Sequence, residues 1–350
     1  MLALSSSLSS LGWDDSWAES FAPYADLVPG RVARVDRDRC GVLTEHGERS
    51  AGWQGDLPCA GDWVALRDLP DGRHQITAIL PRRTAFVRGG VARDSRGGLS
   101  GDSQGQVLAA NIDTALILEP ASPDTNVGRI ERLLALAWQS GAVPRVVITK
   151  ADLTPDLPWL VETVTAAAPG VGVFAVSAVT GAGLDEVRAV ATGTSVLLGP
   201  SGAGKSTLVN ALAGGEVMRT QAIRAADGRG RHTTTHRELV AVPGGLVIDT
   251  PGIRRVGLYE VGEGLSLAFA DVEEFAAECR FTDCAHDTEP GCAVLAAIEV
   301  GDLPGHRLTD WRKLRREAAW MASRTDARLR SERLREWKVM HRQARRDRQR

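Results

Sequence analysis

The sequence predicts a multi-domain chain: a small β-barrel first, a central α/β domain with a mostly parallel sheet, and an α-helical region organised around a cysteine and histidine cluster. Three patterns point there. Short strand-like runs split by glycine and proline fill residues 28–95. Apolar runs then alternate with amphipathic helical stretches over residues 105–260. Finally, Cys279, Cys284, His286 and Cys292 fall within fourteen residues of one another. At 350 residues and 43% hydrophobic composition, the chain is long enough for several cores.

The first 27 residues read as an extension. Met1 to Ser10 lacks the basic start and sustained apolar stretch of a secretory signal, and no run in the chain approaches a membrane span. A cytoplasmic location without membrane contact is expected. Leu11-Gly12-Trp13 and Trp17 predict a short helix docked on the barrel. In the barrel, Arg31 to Val35 alternates, and Gly41 to Thr44, Asp62 to Leu66 and Gln75 to Leu80 are strand-like. An OB-fold (oligonucleotide-binding) barrel and an SH3-like one fit these runs equally well. Arg31, Arg34, Arg37, Arg39, Arg82, Arg83 and Arg88 give the segment RNA-binding potential, although scattered surface arginines are the commoner meaning of such a set.

In the α/β region, Ile112 to Leu118 reads as a strand and Ile130 to Trp138 as a helix. The strongest motif is Gly199-Pro200-Ser201-Gly202-Ala203-Gly204-Lys205-Ser206-Thr207, set between the strand Ser195 to Leu198 and the helix Thr207 to Leu212. This is a P-loop: glycines let backbone N–H groups close around phosphates, Lys205 reaches the outer phosphates, and the Ser206 hydroxyl ligates magnesium.

Upstream, after the strand Val146 to Ile148, stands Thr149-Lys150-Ala151-Asp152. The two oxygens of Asp152 suit the N1–H and exocyclic amine of guanine, whereas adenine offers the wrong edge. A helix start capped by Asp152 is the plain alternative. Lysine usage decides between them: the chain has four lysines, Lys150, Lys205, Lys313 and Lys338, against 38 arginines, and two of the four fall in these motifs. Ser177-Ala178 ends the strand Val173 to Val176 and predicts a loop over the base. Asp249-Thr250-Pro251-Gly252 follows Leu246 to Ile248, placing Asp249 to hold magnesium through water and the Gly252 amide to face the γ-phosphate. Between them, Gly230-Arg231-His232-Thr233-Thr234-Thr235 reads as a switch loop in which Thr234 ligates magnesium.

The base-reading motif precedes the phosphate loop, the inverse of the ordinary GTPase order. The expectation is a circularly permuted P-loop GTPase domain with motif order G4-G5-G1-G2-G3. Taken together, these motifs and their order resemble the RsgA (YjeQ) family of small-ribosomal-subunit biogenesis GTPases, from about Gly30 to about Lys338. The resemblance implies an OB-fold barrel before the GTPase domain, GTP hydrolysis to GDP, and the 30S ribosomal subunit with its 16S rRNA as partner and activator. A monomer suits such a factor. Where many GTPases place a glutamine, Ile253 follows Gly252 and cannot position water. The family shares this change and implicates its switch histidine, which matches His232. Intrinsic turnover is therefore expected on the order of 10⁻³ per second or below.

The cluster Cys279-x4-Cys284-x-His286-x5-Cys292 supplies three thiolates and an imidazole, a closed tetrahedral set for one structural zinc. Residues 268–305 are expected to be this zinc-binding domain, and in the resembling family the same spacing holds zinc. Residues 306–350 form a basic helical tail. From Arg307 to Arg350 there are sixteen Lys plus Arg and six Asp plus Glu, so a net charge of −2 conceals a polarised molecule. Trp311 and Trp320 are assigned to helix packing, and the final arginines to the RNA phosphate backbone. Two competing readings remain: an ATP-dependent P-loop enzyme with Asp152 incidental, and a non-catalytic RNA-binding protein with zinc, an OB barrel and a degenerate nucleotide site.

Overall fold

The computed structural model of the chain describes residues 7–88, 92–93, 99–100, 106–122, 125–218, 237–249 and 262–325. His232, Thr234, Gly252 and the end of the basic tail therefore lie outside the described residues. The chain divides into two compact units, one of residues 1–87 with 107–255, the other of residues 88–106 with 256–350.

The first unit opens with helix α1 (Asp15–Phe21), capped by the Asp14 carboxylate accepting from the Trp17 amide at 2.9 Å. Five strands follow: β1 (Val28–Val35), β2 (Cys40–Thr44), β3 (Gly47–Trp53), β4 (Trp63–Asp68) and β5 (His74–Ile79). They close in the order β1-β2-β3-β5-β4 and back to β1, with β3 and β5 parallel and the other neighbours antiparallel. This is the Greek-key closure of an OB-fold and decides against the SH3-like alternative. Val32, Val42, Ala51, Val64, Leu66 and Ile76 fill its interior. Alternate residues of β4, Trp63 and Ala65, face outward and are nonetheless fully buried. Leu11, Trp17 and Phe21 of the N-terminal segment cover them, and Trp13 meets Trp63 edge-on at 4.7 Å.

The barrel arginines are largely internal fastenings. Arg31 is 1% exposed and donates to three carbonyls from separate segments: Leu11 O, Gly61 O at 3.3 Å and Asn111 O at 3.0 Å. Burial lowers its pKa to about 10, so it stays charged at neutral pH. Arg82 forms a two-pronged pair with the buried Asp62 at 2.7 Å, and Arg83 grips Asp14 at 2.6 Å and stacks on Trp17. Arg34 pairs with Asp36, and Arg39 bonds Ser50. Five of the seven arginines assigned RNA-binding potential thus have protein partners. For Arg31, Arg82 and Arg83 the sequence cannot reveal this, because their partners lie 20 or more residues away in the chain.

Strands β6 (Ala85–Arg88) and β9 (Gln106–Ala110) pair, and β7 (Ala92–Arg93) pairs with β8 (Leu99–Ser100). The α/β domain then runs β10 (Thr114–Pro120), α2 (Val127–Gln139), β11 (Val143–Thr149), α3 (Leu157–Ala167), β12 (Val173–Val176), α4 (Leu184–Val190), β13 (Gly193–Leu198), α5 (Lys205–Ala213), β14 (Glu238–Val242) and β15 (Gly245–Asp249). Strands β12-β11-β10-β13-β15 are parallel neighbours, as the alternation of strands and helices predicts. Leu116, Leu118, Val147, Leu197 and Val247 meet Val187 of α4 and Leu208, Val209 and Leu212 of α5 in one core. Helix α2 packs instead on β10 and β11 with α3 beside it, and its buried residues lie outside that core, so helices cover both faces.

β14 runs antiparallel to β15 and also pairs with β1, with Arg34 opposite Glu238. Barrel and α/β domain therefore share one eleven-stranded sheet.

In the second unit, α6 (Gly262–Ala268), α7 (Ala270–Ala277), α8 (Ala293–Val300) and α9 (Gly305–Thr325) pack together. The buried Arg307 guanidinium bonds Asp271 Oδ2 at 2.8 Å and Ala268 O at 2.9 Å over the Phe269 ring. Trp311, 3% exposed, donates to Glu273 Oε1 at 3.1 Å, which makes it a packing residue.

Arg31→Ala should lower the thermal midpoint by roughly 5–10 °C, because the buried Leu11 and Asn111 carbonyls lose their donor at about 1–3 kcal/mol each, while the Gly61 carbonyl keeps the Asn111 side-chain amide. Arg31→Lys should recover only part of this, since an ammonium cannot span the fork. A midpoint unchanged by Arg31→Ala contradicts the role given to Arg31.

Candidate active site and metal centre

The motif residues collect at one edge of the parallel sheet. β11 ends at Thr149, opposite Val176 at the end of β12; β13 ends at Leu198, and Leu197 lies opposite Asp249 at the end of β15. Loops 150–153, 177–183 and 199–204 all leave from these carboxyl ends, where open α/β sheets build their ligand sites.

The loop from Gly199 to Gly204 is shaped by close approach. A Cβ on Gly199 would lie 2.4 Å from Leu118 O, so no side chain fits there. Gly204 caps α5 in the left-handed region at φ 86°, which favours glycine. Lys205 is buried, its Nζ donating to Gly199 O at 3.0 Å and Pro200 O at 2.9 Å. Burial lowers the Lys205 pKa, while the charge of Asp249 acts to raise it. Ser201, Gly202 and Thr207 are exposed, Ala203 is buried, and Ser206 is half-buried in the first turn of α5.

Thr149 joins the two motifs directly. Its Oγ1 donates to Ala203 O at 2.7 Å in a buried hydrogen bond. The spacing of the motifs gives no hint of this bond. Lys150 adopts φ 57°, starting a single 3-10 turn over Ala151–Leu153 that leaves Asp152 exposed. Nearby, the Ser177 carbonyl accepts from the Gly181 amide at 2.9 Å and its hydroxyl accepts from the Thr180 amide at 3.1 Å, with Ala178 half-buried between. A Cβ on Gly183 would stand 1.9 Å from Ala175 O, which pins this loop against β12.

Asp249 is 2% exposed. The Ser206 hydroxyl donates to its Oδ2 at 3.5 Å, while Oδ1 is buried without a protein partner. Burial raises its pKa to about 6, against the opposing pull of Lys205 and Ser206, and the charge of Glu238 adds to the rise. An orphaned carboxylate oxygen beside a hydroxyl is a hard oxygen donor set, and it fits magnesium.

In the second unit, one ligand atom each from Cys279, Cys284, His286 and Cys292 lies within 4.8 Å of the others. His286 Nδ1 is 3.5 Å from both Cys279 Sγ and Cys292 Sγ, and those sulfurs are 3.9 Å apart. A tetrahedral zinc with Zn–S of about 2.3 Å has sulfur–sulfur edges of about 3.8 Å, so the cluster has the size of a zinc site. The surroundings hold the ligands in place. Cys292 caps α8 and accepts from the Leu295 amide, His286 takes φ 59°, and Arg312 donates to the Ala285 and His286 carbonyls. Burial and the Arg312 charge lower the His286 pKa, favouring the neutral imidazole that a metal needs.

Purified protein should contain about one zinc per chain by elemental analysis, and Cys284→Ala should lose it. Wild-type protein free of zinc, prepared without chelator, contradicts this assignment.

Comparison with known proteins agrees with this geometry. A family model described as RsgA GTPase matches residues 79–259. The small ribosomal subunit biogenesis GTPase RsgA of Streptomyces coelicolor is 53% identical over 347 residues, covering 95% of this chain and 92% of that protein. Its counterpart in Streptomyces avermitilis is 51% identical over 341 residues, covering 93% and 90%. Among solved structures, YjeQ from Thermotoga maritima matches with a TM-score of 0.60 at 24% identity, covering 82% of this chain and 96% of that one. YloQ, described as a circularly permuted GTPase, matches at 0.57 and 22%, covering 83% and 94%. These two likenesses bear on the fold alone. With its motif order, its sheet and more than half its residues shared with such a relative, the chain is a circularly permuted GTPase and belongs to the RsgA GTPase family.

Proposed function

We propose that this chain binds the small ribosomal subunit during its late maturation and hydrolyses GTP to GDP there, slowly when alone and faster on the particle. The observation that carries this reading is the Thr149 to Ala203 hydrogen bond, which fastens the segment that leads into Asp152 to the glycine-rich loop of Gly199 to Gly204. The chain around it is 53% identical to a protein named for small-subunit biogenesis.

In this reading the Asp152 carboxylate selects guanine, and the loop of Ser177 and Ala178 covers the base. The amides of Gly202 to Thr207 surround the phosphates, and the Lys205 ammonium exchanges the Gly199 and Pro200 carbonyls for phosphate oxygens. Ser206, Thr234 and Asp249 hold magnesium, which offsets phosphate charge when bound. The Gly252 amide meets the γ-phosphate, and the His232 imidazole orients the attacking water in place of the glutamine that Ile253 replaces.

Barrel, zinc domain and basic tail provide the contacts with 16S rRNA, the tail through its arginines. The zinc itself is structural. The chain acts as a monomer in the cytoplasm, and no helix among the described residues is long and apolar enough to cross a membrane. An ATP-dependent reading leaves Asp152 without a role, although Thr149 of the same segment bonds the loop at Ala203. A degenerate-site reading conflicts with the joint presence of Lys205, Ser206 and Asp249.

The test is nucleotide turnover by the full chain with and without purified small subunits. GTP turnover should rise at least tenfold on adding subunits, ATP should not be hydrolysed, and Lys205→Ala should abolish the rise. Equal turnover of ATP, or no response to subunits, defeats the proposal.

A further inference from the structure

Three charged residues line up across three strands that join the barrel to the nucleotide site. Arg34 on β1 is the register partner of Glu238 on β14, and Glu238 is in turn the register partner of Asp249 on β15. Residues directly opposite one another in antiparallel strands share a face, with Cβ atoms roughly 4.5–5.5 Å apart. Arg34 Nη1 lies 3.8 Å from Glu238 Oε1, and its Nε lies 3.1 Å from Asp36 Oδ2. Asp249 in turn accepts from the Ser206 hydroxyl at 3.5 Å and feels the Lys205 charge. Glu238 is thus the acidic residue placed between a barrel cation and the carboxylate assigned to magnesium.

We propose that Arg34 and Glu238 are a positioning pair for the magnesium side of the site. The Glu238 charge strengthens the field that holds the cation at Asp249, and Arg34 cancels part of that charge from the barrel. The barrel thereby sets how tightly the site holds its cation. Both side chains are partly exposed, 39% for Arg34 and 45% for Glu238, so the coupling is electrostatic, modest and sensitive to salt. An anion that draws Arg34 away from Glu238 tightens cation binding. The inference rests on Asp249 being a magnesium-side carboxylate, and the same experiment checks that separately.

Mn2+ binding to the GDP-loaded full chain, read by electron paramagnetic resonance, tests the pair without recourse to turnover. Glu238→Gln should weaken Mn2+ by roughly two- to fivefold, and Arg34→Gln should tighten it by a similar factor. The double variant should match Glu238→Gln, because Arg34 acts through Glu238. Arg34→Lys should resemble wild type, and all differences should shrink in high salt. An Arg34→Gln effect that is absent, or that persists undiminished beside Glu238→Gln, overturns the pair. If Asp249→Ala leaves Mn2+ affinity unchanged, the magnesium reading itself falls, and the pair with it.

Discussion

A parallel sheet delivers the loop after every strand to the same edge, and the nucleotide site of this chain depends on that constraint. β11, β12, β13 and β15 contribute Thr149, Ser177, Gly199 and Asp249 from their carboxyl ends, whatever order the strands take along the chain. Cutting and rejoining the chain elsewhere leaves these ends in place, which makes the inverted motif order compatible with an intact site. The alignment is then fixed locally by one buried bond. Thr149 Oγ1 reaches the Ala203 carbonyl across a separation of 54 residues and ties the segment leading into the turn of Ala151–Leu153 to the loop of Gly199 to Gly204.

The same sheet continues into the barrel through β14 and β1, so the barrel is part of the scaffold that carries the site. Its attachment is tight. A Cβ on Gly61 would stand 2.1 Å from Ala110 O, and Arg31 ties the N-terminal segment, the barrel loop and the start of the α/β domain with one guanidinium. Buried without a direct carboxylate partner, that guanidinium spends its donors on backbone carbonyls, those of Leu11 and Asn111 and the Gly61 carbonyl that it shares with the Asn111 side-chain amide. A cation in this role holds the fold and is removed from RNA contact.

Local chemistry was legible in the sequence, and distant pairing was not. The glycine-rich loop, Asp152, Asp249 and the cysteine–histidine cluster are short-range patterns of residue type; the structure brings the strands that carry the first three to one sheet edge and gathers the four ligand atoms of the last within 4.8 Å. The parallel strands were legible too, since apolar runs alternating with helices have few other solutions. The closure that separates an OB-fold from an SH3-like barrel depends on β3 pairing with β5, a contact that no strand pattern encodes. For the same reason the arginines of the barrel read as a surface set, while their partners, Asp62, Asp14 and three backbone carbonyls, were out of view. The Thr149 bond and the row of Arg34, Glu238 and Asp249 belong to this second class. The switch segment around His232 lies outside the described residues, so its role rests on sequence and resemblance.

The central claim is that two motifs in inverted order make one guanine site, with Asp152 reading the base that the phosphate loop holds. Asp152→Asn tests it most directly, because an asparagine amide donates where the carboxylate accepts, matching the 2-oxo group of xanthine in place of the 2-amino group of guanine. Affinities for GDP and XDP should be measured on the wild-type and variant full chains. The account predicts that the variant loses GDP affinity by on the order of a hundredfold or more and gains XDP. Unchanged GDP affinity in the variant would contradict it.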